Sequence, residues 1–195
     1  MLLGESKTVT KPILITQKLR ELSKKNPRKT FIYYDKYEIT YELFYRNCLL
    51  IKKWIIGNNY NSRKVPIVII SEKSPLLIKC VLGILMSGTP YNIIDMNYPK
   101  KRIELFIDTL KPKIIFNLCN YNVENLDINV DFNIIFKTLS YNYDLGSILG
   151  VNITDDMNDD DIIDIGDYDI CSYSFTSGTE GKPKVVEGIY GSLTY

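Results

Sequence analysis

The stretch Tyr173–Gly188, YSFTSGTEGKPKVVEG, concentrates residue types that can hold a phosphate group. Glycines let the backbone adopt positive φ, so that successive N–H groups can converge on one oxyanion. Hydroxyl groups add hydrogen-bond donors, and lysine ammonium groups supply charge for a polyphosphate. The stretch therefore predicts a phosphate-binding loop, with the candidate residues Thr176, Ser177, Gly178, Thr179, Gly181, Lys182 and Lys184.

The loop does not follow either of two common nucleotide-binding motifs. Only Thr179 and Glu180 separate its glycines, and Pro183 follows Lys182, so it is not a Walker A loop. It does not contain the GxGxxG spacing of dinucleotide-binding turns either. Glycine, serine, threonine and proline also build ordinary surface turns, so composition alone leaves open a polar turn between two strands.

An alternation of strands and helices precedes this loop. The apolar segment ICSYSFTS (170–177) predicts a strand, and phosphate loops commonly follow the carboxyl ends of strands. Further strands are predicted at 30–34, 65–70, 90–95, 112–117 and 131–136, and helices at 12–25, 41–56, 74–88 and 98–110. Continuous apolar strands with short connections predict an α/β fold, with a Rossmann-like parallel sheet and helices on both faces.

Helix ends and buried helix faces can also be read from the residue pattern. Thr40 and Ser74 are predicted N-caps, Pro12 and Pro75 suit first helical turns, and Gly57 ends the second helix. Two apolar stripes predict the buried faces: Ile15, Leu19 and Leu22 in the first helix, and Leu43, Leu50 and Trp54 in the second.

The composition excludes several classes of site. The chain has 195 residues, 45% hydrophobic content and a net charge of +1, which argues against a general nucleic-acid or membrane surface. It contains no histidine, so Ser–His or Cys–His nucleophile pairs and histidine-containing zinc sites are excluded. Cys48, Cys80, Cys119 and Cys171 form no CxxC pair, and we expect reduced core thiols and no metal site.

The chain shows no pattern of secretion or membrane insertion. Its start, MLLGESKTVTKP, turns polar too soon for a signal peptide, and the longest apolar runs are too short for a membrane span. The aspartates between residues 155 and 169 do not have EF-hand spacing, so a solvated acidic loop is expected there. We therefore predict a cytoplasmic protein.

The order FTSGTEGKPK (175–184) resembles the phosphate-binding signature of the adenylate-forming superfamily, which includes peptide-synthetase adenylation domains, acyl-CoA synthetases and luciferases. Two more stretches are similar to family segments in the expected order: ITYELF (39–44), and an upstream segment that matches at Gly88, Tyr91, Asp95, Tyr98, Pro99 and Arg102. The resemblance extends over about residues 12–195, so residues 1–195 are expected to form the N-terminal part of an AMP-binding adenylation domain. Val185 and Met96 depart from the glycine and proline usual in the family.

The resemblance implies a reaction and its participants. Family enzymes activate a small-molecule carboxylate with ATP, assisted by Mg²⁺, as an acyl-adenylate. The implied contacts to the β- and γ-phosphates are Thr176, Ser177, Gly178, Thr179, Gly181 and Lys184, with Lys182 as a helper. The catalytic, adenine-binding and substrate-binding residues are expected downstream of Tyr195, so residues 1–195 are not expected to catalyse adenylation by themselves.

A finer resemblance concerns the substrate. Glu180 in the loop and the tail GIYGSLTY resemble the fungal L-2-aminoadipate reductases of lysine biosynthesis. In those enzymes the adenylate passes to phosphopantetheine on a carrier domain, and NADPH reduces the thioester. Other peptide-synthetase-like adenylation domains, acyl-CoA ligases and a non-enzymatic truncated remnant remain open alternatives.

Overall fold

The computed structural model describes residues 14–122, 126–127, 135–139, 145–151, 163–176 and 183–193. The helices are α1 (Ile15–Lys25), α2 (Tyr41–Gly57), α3 (Pro75–Met86), α4 (Lys100–Leu110) and α5 (Leu145–Leu149). The strands are β1 (Thr30–Tyr34), β2 (Tyr37–Thr40), β3 (Ile67–Ser71), β4 (Tyr91–Asp95), β5 (Ile114–Asn117), β6 (Ile135–Thr138), β7 (Ile170–Thr176) and β8 (Lys184–Ile189), followed by a 3₁₀ turn over Tyr190–Leu193. No helix in these ranges is long and apolar enough to cross a bilayer.

Six strands form the central sheet, in the order β6-β5-β3-β4-β7-β8. The first five are parallel to their neighbours, and β8 runs antiparallel to β7. The predicted α/β fold with a parallel sheet is confirmed, with an antiparallel edge strand added. β1 and β2 form a separate antiparallel hairpin.

The helices lie on both faces of the sheet, as predicted. Alternate side chains of a strand point to opposite faces, so β3 contributes Ile67 and Ile69 to one core and Val68 and Ile70 to the other. The larger core also contains the buried faces of α1, α2 and α3, whereas α4 contributes to the smaller core. The continuous apolar sequence of β3 follows from this burial on both faces.

The predicted helix signals are confirmed where the structure describes them. Thr40 Oγ1 accepts a hydrogen bond from Leu43 N at 3.3 Å, and Ser74 Oγ accepts one from Leu77 N at 3.2 Å. α2 ends at Gly57, as predicted, and Pro75 lies in the first turn of α3. Each cap satisfies a backbone N–H that has no partner within its own helix.

Two predicted core positions are wrong. Ile15 is 39% exposed, and the buried residues of α1 are Thr16, Leu19 and Ser23. Leu43 is 49% exposed, although Trp54 on the same predicted stripe is buried. The face of a helix that becomes buried depends on where its neighbours lie, and the apolar periodicity constrains that direction only within about a third of the circumference.

Three elements were not predicted, and one prediction was displaced. β2, α5 and β8 were missed, and the strand predicted at 131–136 is β6 at Ile135–Thr138, with residues 131–134 outside the described ranges. Pro12, the predicted start of α1, also lies outside them. The β1–β2 turn uses Asp35 at a φ of 54° instead of a glycine, so the usual hairpin signal is missing.

Candidate phosphate-binding hairpin

The carboxyl ends of four parallel strands share one edge of the sheet. β3 ends at Ser71, β4 at Asp95, β5 at Asn117 and β7 at Thr176. Ligands of open α/β sheets bind along this edge because the loops there are free to form a site. The predicted loop begins at this edge.

Strands β7 and β8 form a hairpin that brings two candidate residues together. Six residue pairs are in register, and the pair at the loop end is Thr176 with Lys184. Directly opposite side chains of an antiparallel ladder lie on the same face, so a hydroxyl and an ammonium group project together, and both residues are exposed. The other candidates, Ser177, Gly178, Thr179, Gly181 and Lys182, lie outside the described residues, and their role stays a prediction.

The hairpin joins the parallel sheet through few backbone contacts. β3 and β4 have five residue pairs in register, whereas β4 and β7 have one, Tyr91 with Ser172. Side chains supplement this ladder. Asn92 Nδ2 donates a hydrogen bond to Tyr173 O at 2.8 Å.

An aromatic stack links the same part of β7 to α4. The rings of Phe175 and Phe106 are parallel within 2°, with centroids 3.8 Å apart. Phe175 immediately precedes Thr176, so the stack limits where the loop can begin. Sequence reasoning missed Asn92, Phe106 and Phe175; an amide within the otherwise apolar strand PYNIID was the available signal for Asn92.

Polar contacts hold the middle of the hairpin and its end away from the loop. Tyr173 OH donates to Lys64 O at 2.8 Å, and Arg63 Nη1 lies 2.7 Å from Asp169 Oδ2. The buried Tyr190 OH donates to Leu85 O at 2.8 Å, and burial raises the pKa of this phenol. These contacts connect the middle and the base of the hairpin to residues about 100 positions earlier in the chain, and they are absent from any local pattern.

The upstream residues that match the family segment build the turns around β4. Gly88 precedes the strand at a φ of +68°, a conformation that glycine adopts without strain. Asp95 Oδ1 accepts a hydrogen bond from Asn97 N at 2.9 Å after the strand. The Arg102 guanidinium lies 4.3 Å from the centroid of the Tyr98 ring, a cation–π contact at the start of α4.

The two departures from the family pattern fit the described structure. Val185 lies in β8 opposite Phe175, where a β-branched residue suits the strand. Met96 is half-buried against the core on the α4 side of the sheet. Neither residue interrupts the pairing of β7 with β8.

All four cysteines are free. Cys48, Cys80 and Cys171 are buried in the core, as predicted, whereas Cys119 is only half-buried. Burial raises the pKa values of Cys48, Cys80 and Cys171, and burial with a smaller effect of Glu72 and Asp95 raises that of Cys119. A thiol with a raised pKa is a poor nucleophile at neutral pH. Within the described ranges, no three or more Cys, Asp or Glu side chains are grouped so that they could hold a metal ion.

A cleft of about 280 Å³ lies elsewhere, on the α1 side of the sheet. It is bordered by Leu14, Arg20, Lys52, Met86 and Ile163 among others, and neither of the two described candidates, Thr176 and Lys184, borders it. The hairpin, with its hydroxyl and ammonium pair at the carboxyl edge, is the better candidate for nucleotide chemistry.

Comparison with known families gives the same assignment. A family model described as AMP-binding enzyme matches residues 19–194. The chain belongs to the AMP-binding enzyme family. The match includes the whole hairpin and the segment around β4, and it confirms the superfamily that the sequence resembles. The aminoadipate reductase subgroup is not shown by it.

The relatives of this AMP-binding chain include a carrier-protein ligase. This chain is 25% identical over 181 residues to the D-alanine–D-alanyl carrier protein ligase of Staphylococcus aureus, and the match covers 92% of this chain and 33% of the ligase. The chain thus spans about a third of the length of the curated relatives it matches.

Solved structures share the fold. The N-terminal subdomain of Klebsiella oxytoca NpsA matches with a TM-score of 0.70 at 19% identity, covering 95% of this chain and 44% of that one. The nonribosomal peptide synthetase FmoA3 matches with a TM-score of 0.73 at 16% identity, covering 94% of this chain and 18% of that one. An artificially fused adenylation–PCP di-domain, NpsA-ThdA of K. oxytoca, matches with a TM-score of 0.72 at 19% identity, covering 95% of this chain and 34% of that one. At these identities the likeness shows the α/β fold alone.

Proposed function

We propose that this chain forms the phosphate-binding part of an enzyme that activates a carboxylate with ATP. The observation that carries the proposal is the pair Thr176 and Lys184, opposite each other at the loop end of the hairpin. The pair lies at the carboxyl edge of the sheet, inside the match to the AMP-binding family.

The proposed reaction forms an acyl-adenylate. A carboxylate oxygen attacks the α-phosphorus of ATP, the bond from that phosphorus to the bridging oxygen breaks, and pyrophosphate leaves with the electron pair. Negative charge builds up on the departing phosphates, so a nearby cation and hydrogen-bond donors stabilise the transition state. Lys184 supplies the cation and Thr176 a donor, and Ser177, Gly178, Thr179, Gly181 and Lys182 complete the proposed cradle.

Mg²⁺ fits this scheme as an ion carried by the nucleotide. It prefers oxygen ligands, keeps several waters and commonly binds through substrate phosphates. When bound, the ion would neutralise part of the phosphate charge.

We assign residues 1–195 to the N-terminal part of an adenylation domain. The NpsA subdomain, of which the chain covers 44%, and the ligase, of which it covers 33%, support this assignment. In the proposed complete enzyme, the groups that bind adenine and the carboxylate lie outside these residues, and residues 1–195 alone do not catalyse adenylation.

Two alternative substrates are supported by different observations. Glu180 and the tail after β8 favour L-2-aminoadipate, in which case a carrier phosphopantetheine and NADPH reduction would follow. The staphylococcal relative, named for D-alanine and its carrier protein, favours a small amino acid and a carrier acceptor without reduction. The di-domain NpsA-ThdA also supports a carrier protein as the partner of the proposed enzyme.

Nucleotide binding tests the proposal directly. Titration with MgATP of the protein that carries residues 1–195 together with the remaining domain, followed by calorimetry, should show saturable binding that Lys184→Ala weakens about tenfold, as expected for loss of a hydrogen bond to a charged group. Lys36→Ala is the matched control, because Lys36 is an exposed lysine in the β1–β2 turn. The absence of MgATP binding by the wild-type protein, or equal affinities of the two variants, would contradict the proposal.

Pyrophosphate exchange then separates the substrates. With the protein that carries the remaining domain, exchange that depends on L-2-aminoadipate supports the reductase subgroup, and exchange that depends on D-alanine supports the ligase type. If neither acid supports exchange, both substrate proposals fail, and the MgATP-binding result still stands.

A further inference from the structure

A side-chain hydrogen bond supplements the short backbone pairing between β4 and β7. One residue pair, Tyr91 with Ser172, is in register between these parallel strands. Beyond it, towards the carboxyl edge, the Asn92 side chain spans the gap and donates its Nδ2 hydrogen to Tyr173 O at 2.8 Å. A side-chain amide thus adds a hydrogen bond beside the one backbone pair that is in register.

Asn92 is an unfavourable residue for its surroundings. It is 3% exposed, it pairs in register with Val68, and Ile94 follows it on the same face of β4. Its Oδ1 atom is buried and, among the described residues, accepts no hydrogen bond. An unsatisfied buried acceptor lowers stability, whereas valine or isoleucine would fill this position without that cost. The hydrogen bond from Asn92 to Tyr173 O is the favourable interaction that offsets this cost.

This hydrogen bond is made to the part of β7 that leads to the candidate site. Tyr173 lies three residues before Thr176, and the Phe175 ring between them stacks on Phe106 of α4. Asn92 therefore holds the carboxyl half of β7 by a hydrogen bond to its backbone, and Phe106 holds it by stacking on the Phe175 ring. Since Thr176 is in register with Lys184, the position of β7 also sets that of the lysine.

We propose that Asn92 is a positioning residue for the phosphate-binding hairpin, which it aligns through its hydrogen bond to Tyr173 O. This proposal rests on the proposed function, because alignment matters only if the hairpin binds a nucleotide. Asn92 itself does not touch the phosphates. A purely structural asparagine would contribute to stability and leave the nucleotide affinity of the folded protein unchanged.

The chain offers a matched control for this distinction. Asn117, in β5, is also 3% exposed; its Nδ2 donates to Tyr121 O at 2.8 Å, and its Oδ1 accepts from Tyr121 N at 3.0 Å. Two strands, β3 and β4, separate β5 from β7 in the sheet. Asn92→Val and Asn117→Val therefore each remove a side-chain amide donor to a backbone carbonyl at equal burial. Asn117→Val also removes an accepted bond, and only Asn92→Val acts on β7.

Three measurements on the protein that carries residues 1–195 together with the remaining domain decide the proposal: the thermal midpoint, the MgATP dissociation constant well below that midpoint, and hydrogen exchange of the β7 amides. We expect Asn92→Val to weaken MgATP binding about tenfold, the upper range for loss of one hydrogen bond, and to speed exchange over Tyr173–Thr176. Asn117→Val should lower the thermal midpoint at least as much as Asn92→Val does. It should change neither the MgATP affinity nor the hydrogen exchange of the β7 amides.

Asn92→Asp adds a readout that a structural role would not give. The aspartic acid can donate to Tyr173 O only when protonated, and burial next to a carbonyl oxygen favours the protonated form. Its MgATP affinity should therefore recover toward wild type as pH falls, by up to about tenfold, while the affinity of Asn117→Asp does not follow that trend.

The outcomes separate the two proposals. Equal MgATP affinities of Asn92→Val and Asn117→Val, with wild-type binding intact, would overturn the positioning role and leave the proposed function standing. If the wild-type protein does not bind MgATP, the proposed function fails, and the role of Asn92 in nucleotide binding fails with it. Hydrogen exchange would then still show whether Asn92 holds β7: unchanged exchange at Tyr173–Thr176 in Asn92→Val excludes that as well.

Discussion

Thr176 and Lys184 are directly opposite each other at the loop end of the β7–β8 ladder, with residues 177–183 between them in the chain. Antiparallel pairing fixes the distance between the two backbones and places both side chains on one face. The candidate phosphate loop therefore begins and ends at two fixed points, each of which carries a group that can contact a phosphate.

This relationship predicts that the two residues act on the same ligand. Thr176→Val keeps the shape of the side chain and removes the hydroxyl, so we expect MgATP to bind about threefold to tenfold more weakly. Combined with Lys184→Ala, the losses should not add, because both groups contact one polyphosphate. Calorimetric titration of the two single variants and the double variant measures the coupling; strictly additive losses would show that the groups act independently.

The close approach of α2 and α3 predicts opposite effects of two glycine substitutions. A Cβ at Gly83 would lie 2.7 Å from Ile51 Cβ and 2.8 Å from Cys48 O, so the helices would have to separate. We expect Gly83→Ala to reduce the free energy of unfolding by about 1–3 kcal/mol, the usual cost of overpacking.

Gly57 provides the comparison. It is the last residue of α2, and a Cβ there would meet nothing within 4 Å. Gly57→Ala should leave stability unchanged or raise it by up to about 1 kcal/mol, because alanine restricts the unfolded chain. Urea unfolding of both variants is the measurement, and a similar loss in both would show that helix packing does not decide the result.

The buried Tyr190 predicts a change in stability at alkaline pH. Burial raises its pKa, so the folded protein keeps the proton after the unfolded chain, whose tyrosines titrate near about pH 10, has begun to lose it. The contribution of this phenol is therefore fully present below about pH 10 and is lost as pH rises above it.

Tyr190→Phe isolates this effect. At about pH 8 the variant should be less stable by about 1 kcal/mol, since it loses the hydrogen bond to Leu85 O. Above about pH 10 the difference should shrink, because wild type loses stability there and the variant loses less. Tyr168→Phe is the control, since Tyr168 is 89% exposed. A difference between wild type and Tyr190→Phe that stays constant with pH would contradict the assignment.

The stack of Phe106 on Phe175 predicts a measurable coupling between α4 and β7. Phe106→Leu and Phe175→Leu each remove one ring while keeping an apolar side chain. In a double-mutant cycle followed by urea unfolding, the coupling should be about 0.5–1.5 kcal/mol. A coupling near zero would mean that the parallel rings contribute only by burial.

Local sequence features determined much of the fold. The caps Thr40 and Ser74, the end of α2 at Gly57 and the continuous apolar strands β3 and β5 depend on interactions within a few residues or on simple burial, and they were predicted. The residue types of the loop also indicated its chemistry, since glycine, hydroxyl and lysine side chains keep their properties in any fold.

The tertiary structure decided what depends on neighbours distant in the chain. The exposure of Ile15 and Leu43 depends on which elements pack against their helices, so no local pattern contained it. β8 and the turn at Asp35 were missed for a different reason, since both belong to hairpins that are local in the chain but lack the usual short hairpin signal. The bond from Asn92 to Tyr173 joins residues 81 positions apart, and the stack of Phe106 on Phe175 joins two elements that only folding brings together. The sequence by itself therefore determined which groups could bind a phosphate, and the packing of β7 against β4 and α4 decided where those groups stand, because position is fixed by contacts between segments and not by residue type.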